Sequence, residues 1–481
     1  MSRPPGYSLA TCAGLFLAVS LFATSPAKSS DSDSELNPGS DSVPKSASDL
    51  ILVPDASPVT DASLVTNAVP VTQYGYPVVD GFLATVIGTR THEEAVVPSR
   101  VPIRVATLVR FPNRKIPKVF WNQSEMRYSV SAHEQAAPLI FVVAGMGSSY
   151  NSAKMLYLQR LFFGEGFHVI SLSSPTHPNF ILTASKSGHP GFTPEDSEDL
   201  YVAMREAYAQ LQSRVDVTDI HLTGYSLGGT QAAFLTAIDD REEVFKFKRI
   251  LMINPAVDLF ASLQILDGLF EDALPEGAES VVDLVERLMA EISDYVQING
   301  RRSVDGELLY RIAEKRIAEG RPPTRKMLAG LIAAAFRLSS SNMFFAVDVL
   351  SKNGQIVEPD VTLGVGSSLT PYFHRSMELS FEDYFEDTLL PYWQSRSSGL
   401  DRERMIEGAS LRSLTQLLRN DIRIAAVTNE DDIILTPENL DFLRTTLGDR
   451  VKIYPRGGHF GNMTYQENVK FMVDFFKGDA R

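Results

Sequence analysis

Two kinds of apolar pattern divide this chain. Short β-type runs stand at 139–143, 167–171, 219–223, 249–253, 422–427 and 451–454. The first of them, Leu139-Ile140-Phe141-Val142-Val143, has no polar alternation at all, which is the pattern of a parallel strand buried on both faces. Between several of these runs lie stretches with helical spacing, at 156–164, 195–211 and 466–476. Strand and helix thus alternate as a parallel sheet covered on both sides requires, and the expected fold class is α/β, a doubly wound, mostly parallel sheet. Ahead of it, 79–111 alternates apolar and polar positions with many β-branched residues, and 126–130 reads the same way. Both are expected to be antiparallel leading strands.

The rhythm breaks between Asn254-Pro255 and Asp421. An interval of roughly 160 residues is too long for a connecting loop and must fold as an element of its own. Helical periodicity dominates it: Val281, Val282, Val285, Leu288, Met289 and Ile292 share one face, and 327–338 is apolar almost all round. Aromatic residues gather late in it: Tyr372, Phe373, Phe381, Tyr384, Phe385, Tyr392 and Trp393. Their expected role is to pack the insertion's own core, with some lining an apolar pocket as the alternative. His374 is expected on the surface or at a cap, and His177 and His189, in a Pro/Gly/Ser-rich loop, are expected to face solvent.

The N-terminus carries Arg3, an apolar run at 8–23, and then Thr24-Ser25-Pro26-Ala27. That run is short for a membrane span, and the small residues after it suit cleavage before Lys28, so 1–27 reads as a signal peptide. The protein is accordingly expected to be exported, periplasmic or secreted, with no membrane span in the mature chain. Residues 28–67 are rich in Ser, Asp, Pro and Ala and read as a disordered spacer. The remaining divisions are 68–256 and 421–481 for the two parts of the core and 257–420 for the helical insertion. With one cysteine, Cys12, inside the signal, a cysteine metal site or a disulfide framework is excluded. A net charge of −14 over 481 residues, with no compact Lys/Arg run, argues against nucleic acid as a partner.

Candidate chemistry begins at Gly224-Tyr225-Ser226-Leu227-Gly228, between a β-type run and a small-residue helical stretch. This is the layout of a nucleophile elbow, in which a serine hydroxyl stands on a sharp strand-to-helix turn and flanking glycines avoid collision. A serine hydroxyl needs a histidine base, and the base needs a carboxylate to fix its tautomer. His459 lies in a glycine-rich loop, Gly457-Gly458-His459, after the 451–454 run, and Asp431-Asp432 follow the 422–427 run.

Serine, aspartate and histidine in that order resemble the α/β-hydrolase superfamily, and the tail segments resemble its serine-aminopeptidase-like (S33) and monoacylglycerol-lipase-like groups. The resemblance implies that the insertion is a helical cap over Ser226. It also implies an acid from a Gly-x-x-Asp pattern, whose glycine is here replaced by Asn429 or Thr428; Asp432 is favoured and Asp431 is the alternative. The oxyanion would be held by the amides of Leu227 and Met146, with Gly145 as neighbour, in the loop Ala144-Gly145-Met146-Gly147 after the first buried run. Relatives usually carry His-Gly there, so Ala144 is a departure. The expected function is an exported serine hydrolase cleaving carboxylic esters, its substrate a small ester or amide with an apolar acyl part. No cofactor and no metal are expected. A serine aminopeptidase-type activity is the alternative, and a catalytically silent binding module a further one.

Overall fold

The computed structural model describes residues 74–273, 315–316 and 319–478. The expected signal peptide, the spacer and the helical repeat at 281–292 lie outside them. Eight strands form one sheet: β1 (Arg104–Leu108), β2 (Met126–Ser131), β3 (Ala137–Val143), β4 (His168–Leu172), β5 (Val217–Tyr225), β6 (Ile250–Ile253), β7 (Ile424–Asn429) and β8 (Val451–Tyr454). Their spatial order is β1-β2-β4-β3-β5-β6-β7-β8. Only β2 runs against its neighbours; from β4 through β8 every pairing is parallel. The sheet is therefore the mostly parallel one that the continuous apolar runs require.

Alternate residues of the strands feed two cores, one on each face. Leu139, Phe141, Leu222, Met252 and Ala426 join a cluster with helices α4 (Thr193–Gln212) and α5 (Leu227–Glu242). Ile140, Val142, Leu251, Ile253 and Val427 face the other way, onto α1 (Gly81–Ile87), α2 (Ala153–Gly164) and α11 (Gln466–Lys477). Burial on both faces explains why these strands read as unbroken apolar runs.

One expectation is corrected here. Residues 79–111 are not a run of leading strands: 81–87 is helix α1, and β1 alone is strand. Asp80 decides the start, its side chain accepting the Leu83 amide at 2.8 Å as an N-cap. Leu83, Ala84 and Ile87 then share one buried face, so the apparent alternation has helical spacing instead.

Between β6 and β7 every described element is a helix. The long members are α6 (Leu259–Ala273), α7 (Arg325–Ser351) and α8 (Thr370–Glu378), followed by α9 (Phe381–Tyr384) and α10 (Arg402–Ala409). By length and composition α7 could cross a membrane, but 72% of its apolar window is buried within the molecule, as in a core helix. Phe344, Phe345, Phe381, Tyr384 and Phe385 are continuous with the sheet's own apolar cluster. The cap thus shares a core with the sheet.

Candidate active site

The strand β5 ends at Tyr225 and α5 begins at Leu227, leaving Ser226 to make the whole turn. Its backbone sits at φ 54°, ψ −126°, a region that a non-glycine residue occupies only under constraint. The constraint is visible. Ser226 N–H donates to Ile253 O at 2.9 Å, the Thr230 amide to Ser226 O at 3.1 Å, and Thr230 Oγ1 to Ala256 O at 2.7 Å. A Cβ on Gly228 would lie 2.3 Å from Val143 O, so only glycine lets the helix come this close to β3.

His459 arrives from the loop after β8. That loop rests on α1: the His459 amide donates to Thr85 Oγ1 at 2.9 Å. Gly458, at φ 56°, comes so near that a Cβ would meet Gly81 O at 2.1 Å. The imidazole is held from both sides, with Nε2 3.0 Å from Ser226 Oγ and Nδ1 2.9 Å from Asp432 Oδ1.

Of the two candidate acids, the one on the imidazole is therefore Asp432. Its side chain is fully buried, and its other contacts are donors: Asn254 Nδ2 at 2.8 Å and Thr428 Oγ1 at 3.1 Å to Oδ2, and the Ile434 amide at 3.2 Å to Oδ1. Asp431 points elsewhere. Its Oδ1 accepts the Gly458 amide at 2.9 Å, and burial holds its carboxyl above the usual range. It ties down the histidine loop from outside the imidazole's reach.

Three amides of the loop after β3 are braced. Gly147 N–H donates to Thr176 Oγ1 at 2.8 Å and Ser148 N–H to Gly145 O at 3.0 Å. Ala144 N–H is taken by Leu172 O at 3.1 Å. The Met146 amide donates to no described residue. Nor has Leu227, the first residue of α5, an acceptor within its helix. Tyr225 joins this loop to the elbow, its hydroxyl donating to Ser148 Oγ at 2.8 Å, which in turn donates to Ser152 Oγ at 3.0 Å.

Ser226, Asp432, His459 and the Met146 loop all stand at the carboxyl ends of neighbouring parallel strands, β5, β7, β8 and β3. Together with the strand order and the antiparallel β2, that arrangement decides the fold. It is the α/β-hydrolase fold. The narrower serine-aminopeptidase-like and monoacylglycerol-lipase-like groups are not distinguished by these features.

The chain matches no family model and no curated protein. Among solved structures it is similar to a hyperthermophilic esterase from Pyrobaculum calidifontis, at 14% identity and a TM-score of 0.35, over 79% of this chain and 83% of that one. It is similar to carboxyl esterase 2 of Tuber melanosporum at 14% identity and a TM-score of 0.37, over 80% and 87%. A hydrolase from Pseudomonas aeruginosa gives 13%, 0.35, 78% and 98%. Likeness at this level says nothing of what the present chain acts on.

The histidines outside the candidate site differ from expectation at two positions, His189 and His177. His189 is buried, stacked on Tyr392 with ring centroids 3.8 Å apart, and burial lowers its pKa. Its loop does not face solvent because the cap lies on it: Gly188 abuts Leu350 and Gly191 abuts Leu389. His177 is half-buried and caps helix α3 (Pro178–Thr183) by accepting the Asn179 amide at 3.2 Å; desolvation lowers its pKa to about 4. His374 is half-buried on α8. The aromatic set divides as well. Phe381, Tyr384 and Phe385 are core, Tyr384 stacking on Phe344 and donating its hydroxyl to Pro190 O at 2.7 Å, whereas Tyr372, Phe373, Tyr392 and Trp393 are part-exposed. Among the described residues no group of three or more His, Cys, Asp or Glu is arranged to hold a metal ion.

Thr85, Asn254 and Thr428 are the supporting residues that sequence reasoning missed. Asp80 and Gly81, a capping residue before a small one, were the available signal for the helix that carries Thr85. Asn254 and Thr428 sit at the ends of β6 and β7 and meet Asp432 only once the sheet has formed.

Proposed function

We propose that this protein is a serine hydrolase that cleaves carboxylic esters through an acyl-enzyme. Ser226 Oγ attacks the acyl carbonyl while His459 Nε2 takes its proton, and Asp432 holds Nδ1–H and stabilises the imidazolium. The amides of Leu227 and Met146 donate to the oxyanion of the tetrahedral intermediate. His459 then protonates the leaving alcohol; a water molecule, deprotonated by the same nitrogen, releases the acid and regenerates Ser226. The observation that carries this reading is the unbroken path from Asp432 Oδ1 through the imidazole to Ser226 Oγ, with links of 2.9 and 3.0 Å, on a backbone strained at the serine.

An apolar acyl part is proposed because α7 reaches the oxyanion loop. Ser339 Cβ lies 2.8 Å from where a Cβ on Gly147 would be, so the apolar cap adjoins the reacting centre. A fluorophosphonate probe is expected to label the wild-type protein and not Ser226→Ala. That variant is expected to lose a factor on the order of 10^4 to 10^6 in kcat on p-nitrophenyl esters. Efficiency should rise with acyl length, since each buried methylene contributes roughly 0.8 kcal/mol. A wild-type protein that is not labelled and turns over neither esters nor thioesters would refute the proposal.

A further inference from the structure

Lys154 stands in the first turn of α2, where its charge opposes the helix macrodipole. Its side chain is exposed to solvent. Among the described residues no carboxylate forms an ion pair with it. Its place against the helix dipole does not stabilise α2, and no counter-charge offsets it there.

Its one specific contact leads to the triad. Nζ lies 5.1 Å from the centroid of Phe460, a distance within cation–π range. That ring packs on the His459 imidazole at 3.7 Å and edge-on against Tyr225, the residue before the nucleophile, at 5.6 Å. Phe460 is itself at φ 51°, a strained setting for an aromatic residue, and its ring contacts the imidazole and lies within cation–π range of the ammonium. A charge kept unpaired beside reacting groups, in a protein whose net charge is −14, marks a binding function.

We infer that Lys154 binds an anionic oxygen group of the substrate, so that the preferred esters carry a carboxylate or a group like it at a distance from the scissile carbonyl. This inference rests on the ester-hydrolase reading and specifies its substrate class. A carboxylate on the acyl side and one on the leaving-group side would both reach for the same ammonium, and paired substrates separate them. The acyl pair is p-nitrophenyl hydrogen glutarate against p-nitrophenyl pentanoate. The leaving-group pair is 4-acetoxybenzoate against its methyl ester.

In at least one pair the anionic member is expected to be favoured in kcat/KM. Lys154→Met should reduce that anionic-to-neutral ratio by about tenfold or more, the worth of a charge-assisted hydrogen bond. Lys154→Glu should invert it, and Lys154→Arg should retain most of it. The loss should fall on KM, a split that a purely structural role for the lysine would not produce. Fluorophosphonate labelling and melting temperature identify variants that have not folded. Ratios that stay constant across Met and Glu in both pairs would overturn the assignment and leave ester hydrolysis standing. Absence of labelling and of all turnover would instead strike the hydrolase reading. In that case calorimetric titration with glutarate still decides, because binding lost in Lys154→Met supports the ammonium and equal or absent binding in both proteins overturns it.

Discussion

Asp431 and Asp432 share a turn and differ in everything around them. Asp432 accepts from Asn254, Thr428 and Ile434 as well as from His459, so its buried oxygens are met by donors on every side. Asp431 accepts the Gly458 amide and pairs with no cation among the described residues, and burial raises its pKa. Asp432→Asn should therefore lower kcat on the order of 10^4-fold, because the imidazole loses the acceptor that fixes its tautomer. Asp431→Asn, which still offers an oxygen to Gly458, should lower kcat by no more than about tenfold, since only the loop's seating changes. Steady-state kinetics on one ester ranks the two, and near-wild-type turnover in Asp432→Asn would remove it from the mechanism. The sequence makes this much legible because the elbow glycines, the histidine loop and the paired aspartates are local chemistry. Which aspartate reaches His459 depends on how the turn after β7 closes against the neighbouring strand end, and no spacing rule carries that.

At the scale of elements, the buried strands were readable and α1 was not. Each parallel strand is apolar on both faces, a property written in its own residues, whereas 81–87 offered apolar positions that fit either period until Asp80 is recognised as a cap. The consequence reaches the active site, for α1 carries Thr85, which holds the His459 backbone. The cap has an anchor of comparable kind. Arg337 of α7 pairs with Asp267 of α6 at 2.9 Å, with side chains 6% and 16% exposed, and donates to carbonyls at the end of α8. Asp267 also accepts the Phe381 amide at 2.8 Å, so a single ion pair joins α6, α7, α8 and α9. Arg337→Ala leaves that carboxylate buried without its partner and should cost about 3–5 kcal/mol. Replacing both partners by leucine should cost less than the single change, because no charge is then stranded. Urea denaturation distinguishes the two, and equal losses would show that the pair adds little beyond its volume.

For the molecule as a whole, desolvated histidines weaken stability in acid. Desolvation lowers the pKa of His177 and of His221 to about 4, and lowers those of His168 and His189 as well. In the unfolded chain each histidine takes up a proton near pH 6.5. Between about 6.5 and 4 the unfolded state therefore holds more protons on these histidines than the folded one, and their share of stability falls as pH falls through that window. Asp196 and Asp267 work with the opposite sign: burial raises their pKa, so the folded state holds their protons longer and their share of stability is complete only below the usual carboxylate range. His221 isolates one such contribution. Its ring lies edge-on to Phe167 and Phe476, at 5.8 and 5.7 Å, and its Nδ1 has no hydrogen-bond partner among the described residues. His221→Phe should keep the packing and remove the titration. The slope of unfolding free energy against pH, taken from denaturant melts between pH 7 and 5, should then be shallower by up to about 1.4 kcal/mol per pH unit. An unchanged slope in that variant would mean that His221 is protonated in the folded protein as readily as in the unfolded chain, and that its desolvation by the two phenylalanines does not hold in solution.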